Sequence, residues 1–358
     1  MKESALEYLV CPESHESLQL QAFKSEAGEI IDGLLHSQTG STYPIIGGVP
    51  RILPEHLRSH LSADYPEFFS HYAGKLPASH DRTTGSGVER HTQEAFGYEW
   101  TWAADYDAAN FADWLPDSFT AEQLFSDRIG LEVGCGAGRH AERNSGFAKE
   151  HFAVDLSRAV DSAFARTRHR ANCHVVQADA FTLPFRPGAF DYVYCLGVLQ
   201  HLRDPPSGFR ALATQPKPGG VLLVNVYQAG RPLTVGALKM VRQISTRLSN
   251  NTLRQISVLA GSAEYGLLIG PWKGLKSTRL GTFLRPVVPS RIDEYSKHDL
   301  KTSIVDWFDR LSCPVKIHYG RQDVLDWYAR SGYGNVVVTP YWKAFWNGYG
   351  VRGSPAAR

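Results

Sequence analysis

Leu131-Glu132-Val133-Gly134-Cys135-Gly136-Ala137-Gly138-Arg139-His140 sets three alternate glycines behind a short apolar run and an acid. Glycine lets the backbone turn sharply and approach a ligand closely. The helix expected to open here adds unpaired N–H donors. A dinucleotide fingerprint wants Gly or Ala at position 139, beside the pyrophosphate. Arg139 fits poorly there, so the loop suits a ligand without a pyrophosphate and disfavours an NAD(P)-linked oxidoreductase. Asp155 follows Gly138 by 17 residues, close to the ~20 at which nucleotide sites place an acid on the ribose. His201 is the group in the 190–202 stretch whose ordinary pKa suits a general base near pH 7.

The elements that would position these residues are legible in outline. Short apolar runs at 129–133, 152–155, 173–177, 191–195 and 221–227 alternate with helical patterns. Such runs imply βαβ units and a mostly parallel sheet. Residues 1–54 are short apolar runs broken by Gly, Ser and Pro, which predicts small β hairpins. Residues 55–89 are polar and rich in His, Ser and Pro, with Arg82-Thr83-Thr84-Gly85-Ser86-Gly87 near the end, and read as a linker. Residues 228–290 break the rhythm. They are basic, have helical spacing from Val235 to Leu248, and contain one acid, Glu264. The regular pattern resumes near Asp323–Tyr328 and continues at Asn335–Thr339, so 291–358 reads as the C-terminal part of the same α/β unit and a tail.

At the level of motifs, residues 90–227 resemble a class I S-adenosylmethionine-dependent methyltransferase of the ubiquinone-biosynthesis type. The resemblance rests on the glycine loop, Asp155, Gln177-Ala178-Asp179-Ala180-Phe181, the run Phe190–Leu202, and Pro216-Lys217-Pro218-Gly219-Gly220 before the fifth strand. It implies a Rossmann-like α/β fold with a seven-stranded sheet, S-adenosylmethionine as cofactor and S-adenosylhomocysteine as product. Gly134, Cys135, Gly136 and Gly138 would face the methionine and ribose parts, and Glu132 would orient the loop or bind the amino group. Asp155 would take the ribose hydroxyls and Leu156 would pack on the adenine. Asp179 would bind the adenine amino group, or else serve as a helix cap or turn acid, with Ala180 and Phe181 flanking the ring. Leu196 and Gly197 would lie beside the sulfonium. His201 is the candidate base, with a structural role as the alternative; Tyr319 and His318 stand behind it. Gln93–Trp100 resembles a segment whose aromatics close over the methionine end. The 228–290 stretch would be a helical cap over the acceptor.

Residues 5–53 resemble a small zinc-ribbon domain of the tRNA-methyltransferase-activator type. The matching words are Leu9-Val10-Cys11-Pro12, Ile31-Asp32-Gly33-Leu34-Leu35 and Tyr43–Leu53. Where that family has Cys-x-x-Cys twice, this chain has Cys11 and Ser14, then His36 and Thr39. Hydroxyls are poor zinc ligands, so the expectation is a metal-free domain packed on the catalytic one; a Cys11/His15/His36 site is the alternative.

Composition sets the outer bounds. The 358 residues carry 38 Lys and Arg against 36 Asp and Glu, a net charge of +2. No strong bulk field draws such a chain to nucleic acid or acidic lipid, and its longest apolar runs fall far short of a membrane span. Five scattered cysteines and an acidic, leaderless start fit a reducing cytoplasm. The reading is a methyltransferase for a small-molecule acceptor. A tRNA or protein acceptor and an inactive cofactor-binding scaffold are the alternatives.

Overall fold

The computed structural model describes residues 1–58, 60–76, 87–105, 115, 120–230, 232–341 and 344–353. Its strands are β1 (Gln19–Glu26), β2 (Glu29–His36), β3 (Thr42–Ile46), β4 (Val49–Ile52), β5 (Ile129–Val133), β6 (Glu150–Asp155), β7 (Cys173–Ala178), β8 (Phe190–Leu196), β9 (Pro216–Tyr227), β10 (Tyr333–Tyr341) and β11 (Phe345–Arg352). They form one sheet in the order β1-β2-β3-β4-β7-β6-β5-β8-β9-β11-β10. The stretch from β4 to β9 is parallel, and both flanks are antiparallel.

The helices are α1 (Glu55–Arg58), α2 (Leu61–Asp64), α3 (Pro66–His71), α4 (Gly87–Trp102), α5 (Ala121–Phe125), α6 (Arg139–Asn144), α7 (Ala159–Thr167) and α8 (Pro205–Ala213). Then come α9 (Pro232–Ser245), α10 (Asn250–Glu264), α11 (Gly270–Leu275), α12 (Arg279–Leu284), α13 (Ser290–Tyr295), α14 (Leu300–Ser312) and α15 (Arg321–Arg330). A π-helical turn, Tyr265–Ile269, joins α10 to α11. None of the described helices is long and apolar enough to cross a membrane.

Central strands read as apolar runs because both of their faces are covered: all six residues of β7 are buried, as expected of parallel sheets. The N-terminal hairpins do more than pack on this sheet. Strand β4 pairs with β7 in parallel, Arg51 opposite Gln177 and Ile52 opposite Ala178. Leu9, Leu35 and Tyr43 share one buried cluster with Phe152, Val176 and Phe185. The junction is held by Arg51, which is fully buried. Its guanidinium donates to Gln177 Oε1 at 3.1 Å, Ile46 O at 3.0 Å and Asp161 Oδ1 at 2.5 Å. Among the described residues Cys11, His15 and His36 form no metal-holding group. The Cys11 thiol lies 3.3 Å from the Tyr43 hydroxyl, and His36 bonds Gln21.

Two expectations about organisation need correcting. The described part of the 55–89 segment is helical and packed rather than a free linker. Leu57 and Leu61 are buried with Leu53, and Phe68 and Tyr72 with Ile46. Their apolar spacing outweighs the polar residues between them. Of the Arg82–Gly87 word, residues 82–86 lie outside the described residues. The helical stretch that follows β9 also runs beyond residue 290: α14 packs on α10, with Gly261 so close that a Cβ there would stand 2.9 Å from the Ile304 backbone.

Candidate functional site

Strand β5 ends at Val133, and the chain turns through Gly134, Gly136 and Gly138 at φ +83°, +52° and +75°. That left-handed region penalises a side chain. A Cβ on Gly134 would also stand 2.1 Å from Val198 Cγ2, and one on Gly138 2.9 Å from Ala163 Cα. The loop is tied to the end of β6. The Gly134 and Cys135 amides donate to Val154 O at 2.7 and 3.0 Å, and the Gly136 amide donates to Asp155 Oδ2 at 2.9 Å. Asp155 Oδ1 accepts from the Ser157 amide at 2.8 Å and its hydroxyl at 2.7 Å. Burial still pushes the Asp155 carboxyl above its ordinary value.

These groups open onto a cavity of about 290 Å³. Gly134, Cys135, Gly136, Asp155 and Leu156 line it from the β5 and β6 ends, and Asp179 and Ala180 from the end of β7. Leu196, Gly197 and His201 follow β8 and line it as well. Phe96 and Trp100 of α4 reach it, whereas Tyr98 turns away and stacks on Phe308 at 5.8 Å.

Three expected cofactor residues do not line the cavity. Glu132 precedes Val133 by one residue, and alternation along a strand sends it to the other face. There it accepts from the Tyr194 hydroxyl at 2.9 Å, close to His151. Gly138 begins α6 and packs on Ala163. The Phe181 ring lies under the Arg203 guanidinium at 4.9 Å. Asp179 Oδ1 accepts from the Phe181 amide at 3.1 Å, a turn bond, while the residue also lines the cavity.

His201 is buried against Phe96 and Tyr227. Its Nδ1 lies 2.9 Å from Val315 O and 2.9 Å from Cys313 Sγ. A carbonyl only accepts, so Nδ1 carries the proton and Nε2 keeps the lone pair. Burial pushes the imidazole down to about 4, so it is neutral at pH 7. His318 and Tyr319 are not part of the cavity lining; His318 stacks on Tyr227 at 5.4 Å.

The far wall holds residues that motif reading did not single out. Glu99 of α4 is 1% exposed, and its Oε2 has no hydrogen-bond partner among the described residues. Burial, and then the negative charge of Asp309, hold its carboxyl well above the carboxylate range. Burial works on Asp309 too, but the Lys316 ammonium outweighs it and keeps that group below its ordinary value. Lys316 Nζ is paired with Asp309 Oδ2, which also accepts from the Tyr227 hydroxyl at 3.3 Å. Asp306 is matched by Arg291 at 2.9 Å and Arg310 at 2.7 Å. Gln200, also buried in the lining, has no partner for either amide atom among the described residues. The signal for Glu99 was a carboxylate on a buried stripe: Ala95, Glu99 and Ala103 recur every four residues and are all buried. Asp306 and Asp309 carried no comparable signal, since facing acids on an amphipathic helix read as solvated.

Residues 131–224 match the family model described as a methyltransferase domain. The chain is 35% identical over 138 residues to an uncharacterized protein of Synechococcus, covering 37% of this chain and 31% of that one. It is 32% identical over 101 residues to the ubiquinone biosynthesis O-methyltransferase of Albidiferax ferrireducens, covering 25% and 37%. It is 34% identical over 106 residues to the tRNA U34 carboxymethyltransferase of Pseudoalteromonas atlantica, covering 28% and 32%. The chain thus spans about a third of the length of these curated relatives.

Proposed function

We propose that this protein is an S-adenosylmethionine-dependent methyltransferase acting on a small-molecule acceptor. The observation that carries the reading is the glycine loop bonded through the Gly136 amide to Asp155 at one side of a cavity, within the segment that matches a methyltransferase domain. The site has the chemistry such a cofactor needs. The loop keeps its backbone bare at Gly134, where a Cβ would collide with Val198 Cγ2 at 2.1 Å. Asp155 and Asp179 offer acceptors to ribose and adenine donors, and Leu156 and Ala180 offer apolar cover.

When bound, S-adenosylmethionine supplies an electrophilic methyl group. The chain's own task is to hold the acceptor atom aligned and close, an effect worth several kcal/mol. Leu196, Gly197 and Gln200 would border the reacting centre. Glu99, whose buried Oε2 has no hydrogen-bond partner among the described residues, is placed to hydrogen-bond an acceptor hydroxyl or amine. His201, held neutral and hydrogen-bonded through Nδ1, would then shape the pocket and keep a lone pair at Nε2. A small acceptor fits a cavity roofed by α14 better than a polymer would.

Calorimetric titration with S-adenosylhomocysteine, with NADH alongside, tests the reading. Micromolar binding of S-adenosylhomocysteine and none of NADH is expected. Failure of S-adenosylhomocysteine to bind would overturn it.

A further inference from the structure

Helices α9 to α12 bury one narrow face and leave a second, apolar face exposed. On α9 the inward residues are Arg242 and Ser245, both buried, while Met240, Val241 and Ile244 are 66, 46 and 70% exposed. On α10 the buried stripe toward α14 is Leu253, Ser257 and Gly261, and Ile256 and Leu259 face outward. Leu267 of the π turn, Phe283 of α12 and Val287 beyond it are each at least 75% exposed. Of the sixteen exposed large hydrophobics among the described residues, thirteen fall between 240 and 287. Scattered exposed apolar residues need no explanation, but a concentration of this kind marks an interaction surface.

Charge is concentrated on the same segment. Residues 232–289 hold eight Lys and Arg and one acid, Glu264. That acid is bonded to Arg291 at 2.9 Å through both oxygens. Lys239, Arg247, Arg254, Lys273, Arg279 and Arg285 are exposed between the apolar residues. The near-zero net charge of the chain therefore conceals a strongly positive layer balanced by acids elsewhere.

From this face we infer that the chain docks on the surface of an anionic lipid bilayer through α9–α12. Outward Leu, Ile, Phe and Val side chains interleaved with cations fit an interface whose headgroups are negative and whose interior is apolar. A second copy of the chain would bring the same positive charge to the contact and be repelled. An RNA backbone would answer the cations but gain nothing from exposed aliphatic side chains. The face consists of several short helices, and a fluid surface can take up all of them without a matching shape.

The experiment is co-sedimentation of the full chain with vesicles of phosphatidylcholine alone and of phosphatidylcholine with phosphatidylglycerol, at low and high salt. Binding to the anionic vesicles is expected to be at least about tenfold stronger and to weaken with salt. The variants L259S/F283S and K273E/R279E are each expected to lower it about tenfold with unchanged thermal melting, since all four side chains are exposed. Several outcomes overturn the inference. They are no binding to anionic vesicles, equal binding to neutral ones, indifference to both variants, and light scattering that shows a dimer which L259S/F283S dissociates. Polyuridylate binding that displaces the vesicles and survives L259S/F283S would also overturn it, in favour of an RNA surface.

Discussion

The Gly136 amide donates to Asp155 Oδ2 at 2.9 Å, so the tip of the glycine loop hangs from the carboxylate that ends β6. One acid therefore fixes the loop's shape and also lines the cavity the loop borders. Removing it should do two kinds of damage at once.

Asp155→Ala is expected to weaken S-adenosylhomocysteine binding by about 10- to 100-fold, the worth of one or two charge-assisted hydrogen bonds. Calorimetry with the variant and with Ser157→Ala separates the two contributions. Ser157→Ala removes the hydroxyl that donates to Oδ1 and accepts from the Ala159 amide, leaves the carboxylate in place, and should cost much less. Equal affinity for Asp155→Ala and the parent chain would remove Asp155 from the site.

Glu99→Gln keeps the shape of the far wall and removes its ionisable group. Cofactor binding should persist while turnover, once an acceptor is found, falls by about tenfold as the hydrogen bond to the acceptor changes. Stability gives a second readout. The folded carboxyl holds its proton above the pH at which the unfolded chain releases it. The parent therefore loses stability as pH rises from the ordinary carboxylate range through the folded pKa. Thermal melts at pH 5 and pH 8 should show a smaller loss for Glu99→Gln.

The sign for His201 is opposite. Its folded pKa of about 4 lies below the ordinary 6.5. Above pH 6.5 both folded and unfolded chains hold it neutral. Between about 6.5 and 4 only the unfolded chain takes up the proton, so stability falls with pH by up to about 3 kcal/mol from this residue. Denaturant titrations of the parent and His201→Gln between pH 7 and 4.5 should show a shallower decline for the variant. Buried His140, whose pKa is also pushed down by burial, leaves a remainder in both.

Arg51→Ala should destabilise the chain by about 3 kcal/mol, since it strips a buried guanidinium from its bonded partners. Gln177 Oε1 and Ile46 O lose their donor, and the β4–β7 junction loosens. Limited proteolysis is expected to release the N-terminal hairpins from the variant before the rest. If melting and proteolysis match the parent, the hairpins are held by apolar burial alone.

The sequence by itself determined the parallel strands, the glycine loop and most of one side of the cavity. Those features are local: apolar runs make covered strands, and glycines are required where φ is positive. Gly134 and Gly136 could be read for that reason, and Asp155 and Asp179 from their places just after two such apolar runs. It did not determine which face of β5 Glu132 would take relative to the cavity, because register against β6 and β8 fixes that alternation. Nor did it foretell that β4 would extend the central sheet beside β7, a pairing between residues about 126 apart in the chain. The far wall was decided by tertiary structure as well. Glu99, Asp309 and Lys316 come from separate elements, and only packing leaves one Glu99 oxygen without a hydrogen-bond partner among the described residues while a lysine neutralises Asp309. The same holds for residues 232–289. Their basic composition was plain in the sequence, but the outward direction of their apolar residues depends on which stripe of each helix the small residues let pack inward.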